Sequence, residues 1–438
     1  MGVYKSCIEN KDFFKNFRFF RNLRPETVSS SKENLILKTE KCITALLICL
    51  LCGTVSANAQ AAKGQFEHRM PRNHHPVQRQ YIWNPGQTRA YAGQTRAENQ
   101  PINALVILAQ FSDVQYNYTK SNFETQLKSK KASAEQYLKE QLGVEVNITV
   151  VGPVTVPQTR KYYGENTDNG DDSHPGEFIA DACKAADEFV DFSRFDSRHI
   201  GFVDNVHVIY AGEDEAQQEE GKNTDFLWSH SWTLAASYHS ISLDGVYIDV
   251  YSCSSELFRV YRTEQSFDDV IAPIGTFCHE YLHTLGLADM YDADGVMSGG
   301  VAAGLWSKTA IMDGGNYNDD GNTPPNLNAI DRMLIGIMEP QELAVGSYNM
   351  KPIGTEGANT YKITNPEDSC EFYIFECRKQ DGWDKFIGGS GMLVYHIDKS
   401  DKILTPSEVY GIDLPSDRRW NLYNEVNCRP DHQCAREQ

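Results

Sequence analysis

A nearly continuous apolar run of strand length, Ile102-Asn-Ala-Leu-Val-Ile-Leu-Ala-Gln-Phe111, opens the periodically patterned part of the chain. A Ser112-Asp-Val114 turn follows, then a segment of helical character from about Ser121 to Gln141, and the run Val144 to Val156 reads as a strand. From Gly176 to Phe192 the apolar residues Phe178, Ile179, Ala182, Ala185, Ala186, Phe189 and Val190 recur near helical spacing, and Val206 to Tyr210 is again strand-like. Strands that alternate with helices predict an α/β layer, which we place in residues 101–340. Gly245-Val-Tyr-Ile-Asp-Val-Tyr251 alternates apolar and polar positions, the pattern of a sheet edge. Past about Pro340 the patterning changes. Tyr361 to Ile363, Phe372 to Glu376 and Met392 to Ile397 are short strands between turn-rich loops, so residues 341–438 are expected to form a small β-rich module.

The N-terminal hundred residues read differently. Cys42 to Val55 is apolar, preceded by Lys38 and Lys41 and followed by Ala57-Asn58-Ala59, the order of a signal peptide cleaved before Gln60, with either a misassigned start or an unusually long n-region ahead of it. Residues 1–59 are thus assigned to leader and signal peptide. Residues 60–100, rich in Gln, Arg, Asn, Gly and Pro, form a propeptide or linker in which His68, His74 and His75 belong to a polar tail. The apolar stretch is too short for a membrane span, so the chain is expected to be secreted or held in the cell envelope with no permanent span. The finish at Asp431-His-Gln-Cys-Ala-Arg-Glu-Gln438 is abrupt, and a longer C-terminal region is expected.

Composition narrows the partners. With 41 Lys and Arg against 60 Asp and Glu the formal charge is −19, which argues against nucleic acid as a partner and suits solubility and calcium. Seven of the eleven cysteines lie beyond the leader, at 183, 253, 278, 370, 377, 428 and 434. Their spacing is not that of a disulfide framework, although Cys428 and Cys434 are placed to bridge.

The chemistry is concentrated in His279-Glu280-Tyr281-Leu282-His283. On a helix, histidines four apart project from one face and can share a metal, and neutral imidazole suits zinc. Glu280 stands beside the first histidine, where a carboxylate can take a proton from an activated water and deliver it to a leaving amine. Asp269-Val-Ile-Ala-Pro-Ile-Gly-Thr-Phe-Cys278 supplies an apolar face to bury the helix's back. Gly286 can stop the helix in a left-handed turn that brings Asp289 round as a third, oxygen ligand, with Asp292 as the alternative.

His279, Glu280, His283, Gly286 and Asp289, with Tyr291-Asp292 behind them, resemble the metzincin metalloproteases, specifically the immune-inhibitor-A-type (cowrin) family of secreted bacterial proteases. Three further stretches carry the resemblance across about residues 102 to 400: Ala104 to Asp113, Val203 to Gly212, and Phe372 to Arg378 with Gly389 to Asp398. It implies a twisted sheet with backing helices and an active-site helix. It also implies that Trp306-Ser-Lys-Thr-Ala-Ile-Met312-Asp-Gly-Gly-Asn-Tyr317 is a Met-turn segment, Met312 lying beneath zinc as a hydrophobic floor and Tyr317 a candidate oxyanion stabiliser. Family members often carry an Asp-rich, calcium-like loop before the second of those stretches, whereas Phe195 to Asp204 here has Arg198 and His199 where acidic ligands are expected. Asp168, Asp171 and Asp172 offer clustered hard oxygens for calcium instead. His396 and Asp398 alternate on a strand and read as structural hydrogen-bonding groups. The expected function is a zinc endopeptidase acting on polypeptides. The alternatives are zinc hydrolysis of a non-peptide amide, or a binding or adhesion protein with an inactive zinc site.

Overall fold

The run beginning at Ile102 becomes strand β1 (Ile102–Gln110), and from Ala104 to Ala109 it is apolar without a break because each of its faces meets a core. Successive side chains of a strand point to opposite faces. Ile102, Ala104, Val106 and Leu108 accordingly enter one hydrophobic cluster, and Leu105, Ile107 and Ala109 enter a second. A computed structural model describes residues 101–437, excepting 168–169, 219–222, 264–265, 294–304, 306, 401–404, 408–411, 415–419, 421–425 and 428–431. The leader, the signal peptide, residues 60–100, Asp168, Trp306 and Cys428 therefore lie outside the described residues.

After β1 come α1 (Lys120–Glu124), α2 (Ala134–Leu142), β2 (Val146–Thr155), α3 (Arg160–Gly164), α4 (Pro175–Ala186), β3 (Val206–Tyr210) and β4 (His230–Thr233). A hairpin of β5 (Ile241–Leu243) and β6 (Val246–Ile248) precedes β7 (Val250–Ser255). A second hairpin, β8 (Leu257–Thr263) and β9 (Ser266–Ile271), leads into α5 (Ile274–His283). Then follow α6 (Ala329–Leu334), β10 (Gln341–Glu342), β11 (Tyr361–Asn365), β12 (Asp368–Arg378), β13 (Gly391–Asp398), the pair β14 (Thr405–Ser407) and β15 (Ile412–Leu414), and β16 (Ala435–Glu437). The chain is mixed α/β, as its patterning predicts. The first sheet has the order β2-β1-β3-β7-β4, parallel except for β4, which runs antiparallel to β7. A second sheet, β10-β11-β12-β13-β16, follows in sequence. No helix among the described residues is long and apolar enough to cross a membrane.

Two expectations need correction. The helix expected from Ser121 to Gln141 is broken, because Ala132 at φ 59° leaves helical space and Ser133 restarts the helix as an N-cap whose hydroxyl accepts from Gln136 N at 3.2 Å. The run from Gly245 to Tyr251 is not a sheet edge. Asp244 (φ 51°) and Gly245 (φ 79°) make the two-residue turn with positive φ at both positions that closes a tight hairpin, so β6 pairs with β5. Val250 starts β7, which lies between β3 and β4, and the edges of the sheet are β2 and β4.

The two clusters place the helices. Phe178, Ile179, Ala182, Cys183 and Ala186 of α4 join Leu105 and Ile107 on one side of the sheet. On the other side Ile274, Phe277, Cys278, Tyr281 and Leu282 of α5 join Ile102, Val106 and Leu138, together with Ile374, Tyr395 and Ile397 of the second sheet. Each large side chain buried this way is worth about 1.5–3 kcal/mol. Deep in the first sheet, His207 accepts or donates to Ser252 Oγ at 2.8 Å through Nδ1 and to Ser254 Oγ at 2.9 Å through Nε2, and its ring lies 4.4 Å from that of Phe277. Burial lowers its pKa to about 3, so it is a neutral strut between β3, β7 and α5.

The first turn of α5 passes so close to the loop after Met312 that only glycine fits. A Cβ on Gly275 would stand 1.8 Å from Asn316 O, while Gly275 N donates to Gly321 O at 2.9 Å. Gly275→Ala is therefore expected to lower stability by about 1–3 kcal/mol, the range for overpacking a close-packed site. Denaturant unfolding of the two proteins measures it, and equal midpoints would mean that the loop yields freely.

Candidate metal centre

Helix α5 delivers His279, Glu280 and His283 from a single turn, and its termination delivers the rest. Gly286 adopts φ 99°, its N donating to His283 O at 2.9 Å, so the helix stops in the left-handed turn expected from sequence. That turn does two things. It presents Leu287 O to His283 Nδ1, which donates to it at 2.8 Å, and it swings Asp289 round in front of both imidazoles. His279 Nδ1 donates to Ile311 O at 2.7 Å, one residue before Met312. With each Nδ1–H engaged by a backbone carbonyl, each Nε2 is turned inward.

The inward atoms converge. His279 Nε2 and His283 Nε2 are 3.2 Å apart, and Asp289 Oδ1 lies 3.2 Å from the first and 3.4 Å from the second. Four-coordinate zinc with bonds of about 2.0–2.1 Å needs ligand atoms separated by about 3.3 Å. Three lone-pair atoms at that separation are spaced to hold a metal ion. Glu280 lies within the same constellation. Its carboxylate is 2% exposed, and Oε1 has no hydrogen-bond partner among the described residues.

Electrostatics follow from burial. Desolvation pushes the Glu280 carboxyl up to about 7, with His279 and His283 pulling it back. Burial opposes protonation of His283, but the Asp289 carboxylate overrides it and lifts the imidazole to about 9. Asp289 is itself held well below the ordinary carboxylate range, the two imidazoles outweighing its desolvation.

Met312 is fully buried, and its carbonyl accepts from Met290 N at 2.7 Å, tying the loop beneath the triad to the segment after Asp289. Tyr317 is close enough to Glu280 and Asp214 for both carboxylates to raise its phenol, after desolvation, and its ring lies 6.2 Å from Phe258. Asp172 is remote in sequence from the triad and turns inward, Oδ2 accepting from Trp228 N at 3.2 Å, with Glu215, Asp214 and Asp171 as electrostatic neighbours. In the Phe195 to Asp204 loop, Arg198 Nε meets Asp204 Oδ1 at 3.1 Å, so that carboxylate already has a cation. His396 Nε2 contacts Glu371 Oε1 at 2.9 Å, and Asp398 Oδ2 contacts His432 Nε2 at 3.2 Å.

Two buried polar groups near the triad stand in the quoted motifs but receive no role from the sequence. Asp313 follows Met312, accepts from Gly314 N at 2.7 Å, and is pushed up to about 8 by burial. Tyr291 lies two residues past Asp289 and is 6% exposed. Adjacency to a ligand and to the Met312 segment is the only signal in sequence for either, since their burial depends on tertiary packing.

Over residues 109–334, just over half of the chain, the sequence matches the family described as immune inhibitor A peptidase M6, catalytic domain. It is also 27% identical over 294 residues to immune inhibitor A of Bacillus thuringiensis subsp. alesti, an alignment covering 56% of this chain and 40% of that protein, so the chain spans well under two thirds of that relative's length. The matched span encloses α5, the Gly286 turn, Asp289 and Met312, and the chain belongs to the immune inhibitor A family of peptidases, M6.

Proposed function

We propose that this peptidase is a secreted, zinc-dependent endopeptidase in which His279, His283 and Asp289 hold the metal and Glu280 is the general base. The observation that carries the reading is the triangle of ligand atoms at 3.2–3.4 Å with a buried carboxylate beside it whose Oε1 is unengaged. Zinc held there supplies Lewis acidity to the scissile carbonyl and lowers the pKa of water. Glu280 takes the proton of the attacking water and returns it to the amide nitrogen as the C–N bond breaks. Met312 and Ile311 O form the floor that fixes His279.

Substrate is assigned to the edge of the first sheet. β4 has β7 on one side and no partner strand on the other among the described residues, and α5 packs against both. An extended polypeptide can add to such an edge through main-chain hydrogen bonds. In this reading residues 1–59 direct export, 60–100 form a propeptide or linker, 101–340 are catalytic in a metzincin-like arrangement, and 341–438 form a β-rich module. Asp171 and Asp172 remain the candidate for a structural calcium.

The test is digestion of a peptide library by purified mature protein, read by mass spectrometry before and after metal removal. Cleavage should vanish with 1,10-phenanthroline and return with zinc, since metal binding is required for the active site to assemble. Cleavage that survives complete metal removal would sink the metal reading. Zinc uptake without any cleavage would favour a binding protein.

A further inference from the structure

The loop that carries Asp289 is pinned at both ends. Its near end is fixed by α5: Gly286 N donates to His283 O at 2.9 Å, and Leu287 O accepts from His283 Nδ1 at 2.8 Å. Its far end is Met290, which directly follows the ligand and is fully buried. Met290 N donates to Met312 O at 2.7 Å, and Met290 O accepts from Leu305 N at 3.1 Å and from Asn427 Nδ2 at 2.8 Å. Two of these partners flank the Met312 segment, whereas the third stands 137 residues away in sequence, past the end of the family match at residue 334. Asn427 is itself 0% exposed, and its amide is fully engaged. Besides Met290 O, Nδ2 donates to Ala435 O at 2.5 Å, and Oδ1 accepts from Ala435 N at 2.9 Å. Ala435 opens β16 and lies opposite Ile397 of β13. One buried side chain thus joins the last strand of the second sheet to the carbonyl one residue past the third ligand.

We propose that Asn427 is a positioning residue for the metal centre, which holds Met290, and through it the Asp289 carboxylate, at the spacing from both imidazoles that a metal ion needs. The inference rests on the zinc donor set of the reading above, and it makes the segment beyond the family-matched domain part of the centre. The two histidines do not depend on Asn427, because they are oriented by Ile311 O and Leu287 O. Asp289 is different. Its Oδ1 stands 3.2 Å from His279 Nε2 and 3.4 Å from His283 Nε2 only while the loop that bears it keeps its path. Hydrogen bonds one step behind the ligands set such paths, and losing one typically weakens metal binding about 10–100-fold. Met290 O keeps Leu305 N when Asn427 is replaced, so no orphaned carbonyl is left and the loss falls on position.

The experiment measures zinc affinity, by competition with a chromophoric chelator, for full chains of wild type, Asn427→Ala, Asn427→Asp and Ile179→Val. Asn427→Asp keeps the size and the acceptor for Ala435 N and removes both donations. Ile179 of α4 lies in the core on the other face of the first sheet, so its variant loses stability away from the centre. Both Asn427 variants should bind zinc about 10–100-fold more weakly, and Ile179→Val as tightly as wild type. Peptide cleavage by the Asn427 variants should return as free zinc is raised, with KM at its wild-type value, since no substrate contact is lost. Wild-type zinc affinity in a folded Asn427 variant overturns the proposal. So does an equal weakening in Ile179→Val, since any loss of stability would then loosen the site. Should neither Asn427 variant fold, wild type decides, because coupling between two sites is reciprocal. Zinc should slow hydrogen exchange about 10-fold or more at Ala435 N, which donates to Asn427 Oδ1, and unchanged exchange overturns the assignment. A wild type that binds zinc yet cleaves no peptide defeats the peptidase reading alone, and the affinities still decide Asn427.

Discussion

Glu280→Gln is expected to lower kcat/KM for peptide cleavage by about 10²–10⁴-fold, the span over which a positioned acid–base group contributes, while zinc content and the unfolding midpoint stay at wild-type values. The substitution is chosen because it keeps the volume. Glu280 is buried on the inner face of α5, so alanine would open a cavity and confound the reading. Glutamine fills the space and removes the one property in question, a basic oxygen. That property is tuned by position: burial pushes the carboxyl up to about 7, where a group both accepts and releases a proton without a large penalty in either direction. Neither Nε2 atom depends on Glu280, since His279 and His283 are oriented by Ile311 O and Leu287 O. Metal binding and catalysis should therefore separate cleanly in this variant, as they would not in His283→Ala. Paired steady-state kinetics and metal analysis make the measurement. Wild-type turnover by Glu280→Gln would remove the general base from the mechanism.

Much of this centre is legible in the sequence because its parts are local. Histidines at i and i+4 face the same way on any helix, and Gly286 is where a left-handed turn is cheap, so the convergence of Asp289 follows from eleven consecutive residues. β1 is legible for a similar reason, its apolar run from Ala104 to Ala109 being what burial on two faces requires. Failures arise where the pattern is local but its meaning is not. Val246 and Ile248 point inward and Tyr247 is 51% exposed, so the alternation from Gly245 is real, yet it serves a hairpin rather than the sheet's edge. The edge strand beside β7, β4, is four residues long, too short to announce itself by period. Glu376, Arg378 and Asp384 are harder still. Charged residues in a strand and the loop after it read as solvated, and here all three are buried.

That buried triad carries the largest stability effect expected in the molecule. Arg378, 1% exposed, donates from Nε to Asp384 Oδ2 at 2.7 Å and from Nη1 to Glu376 Oε1 at 3.0 Å, and also pairs through Nη2 with Asp384 Oδ1. The remaining hydrogens reach Thr309 O at 3.2 Å and Asn326 O at 3.1 Å. Both carboxylates have further donors, Glu376 from Ala329 N and the Tyr395 hydroxyl at 2.7 Å each, Asp384 from Asn326 N at 2.9 Å. Intact, such a triad stabilises little over an apolar replacement, because Coulombic gain is offset by desolvation of three charges. Broken from the arginine side, it leaves two buried carboxylates facing each other, and Arg378→Ala is expected to cost about 3–5 kcal/mol, a large part of the roughly 5–15 kcal/mol by which a folded protein is stable. Arg378→Lys should recover only part of this, since an ammonium cannot reproduce the planar fork that spans both carboxylates. The loss should also reach the metal. Thr309 O is two residues from Ile311, whose carbonyl orients His279, so zinc affinity of Arg378→Ala is expected to fall with its stability. Denaturant unfolding with zinc titration measures both. Should Arg378→Ala unfold at the wild-type midpoint, the network would be ornamental; should it destabilise yet bind zinc as tightly as wild type, the β12 arginine and the floor beneath His279 would be mechanically independent.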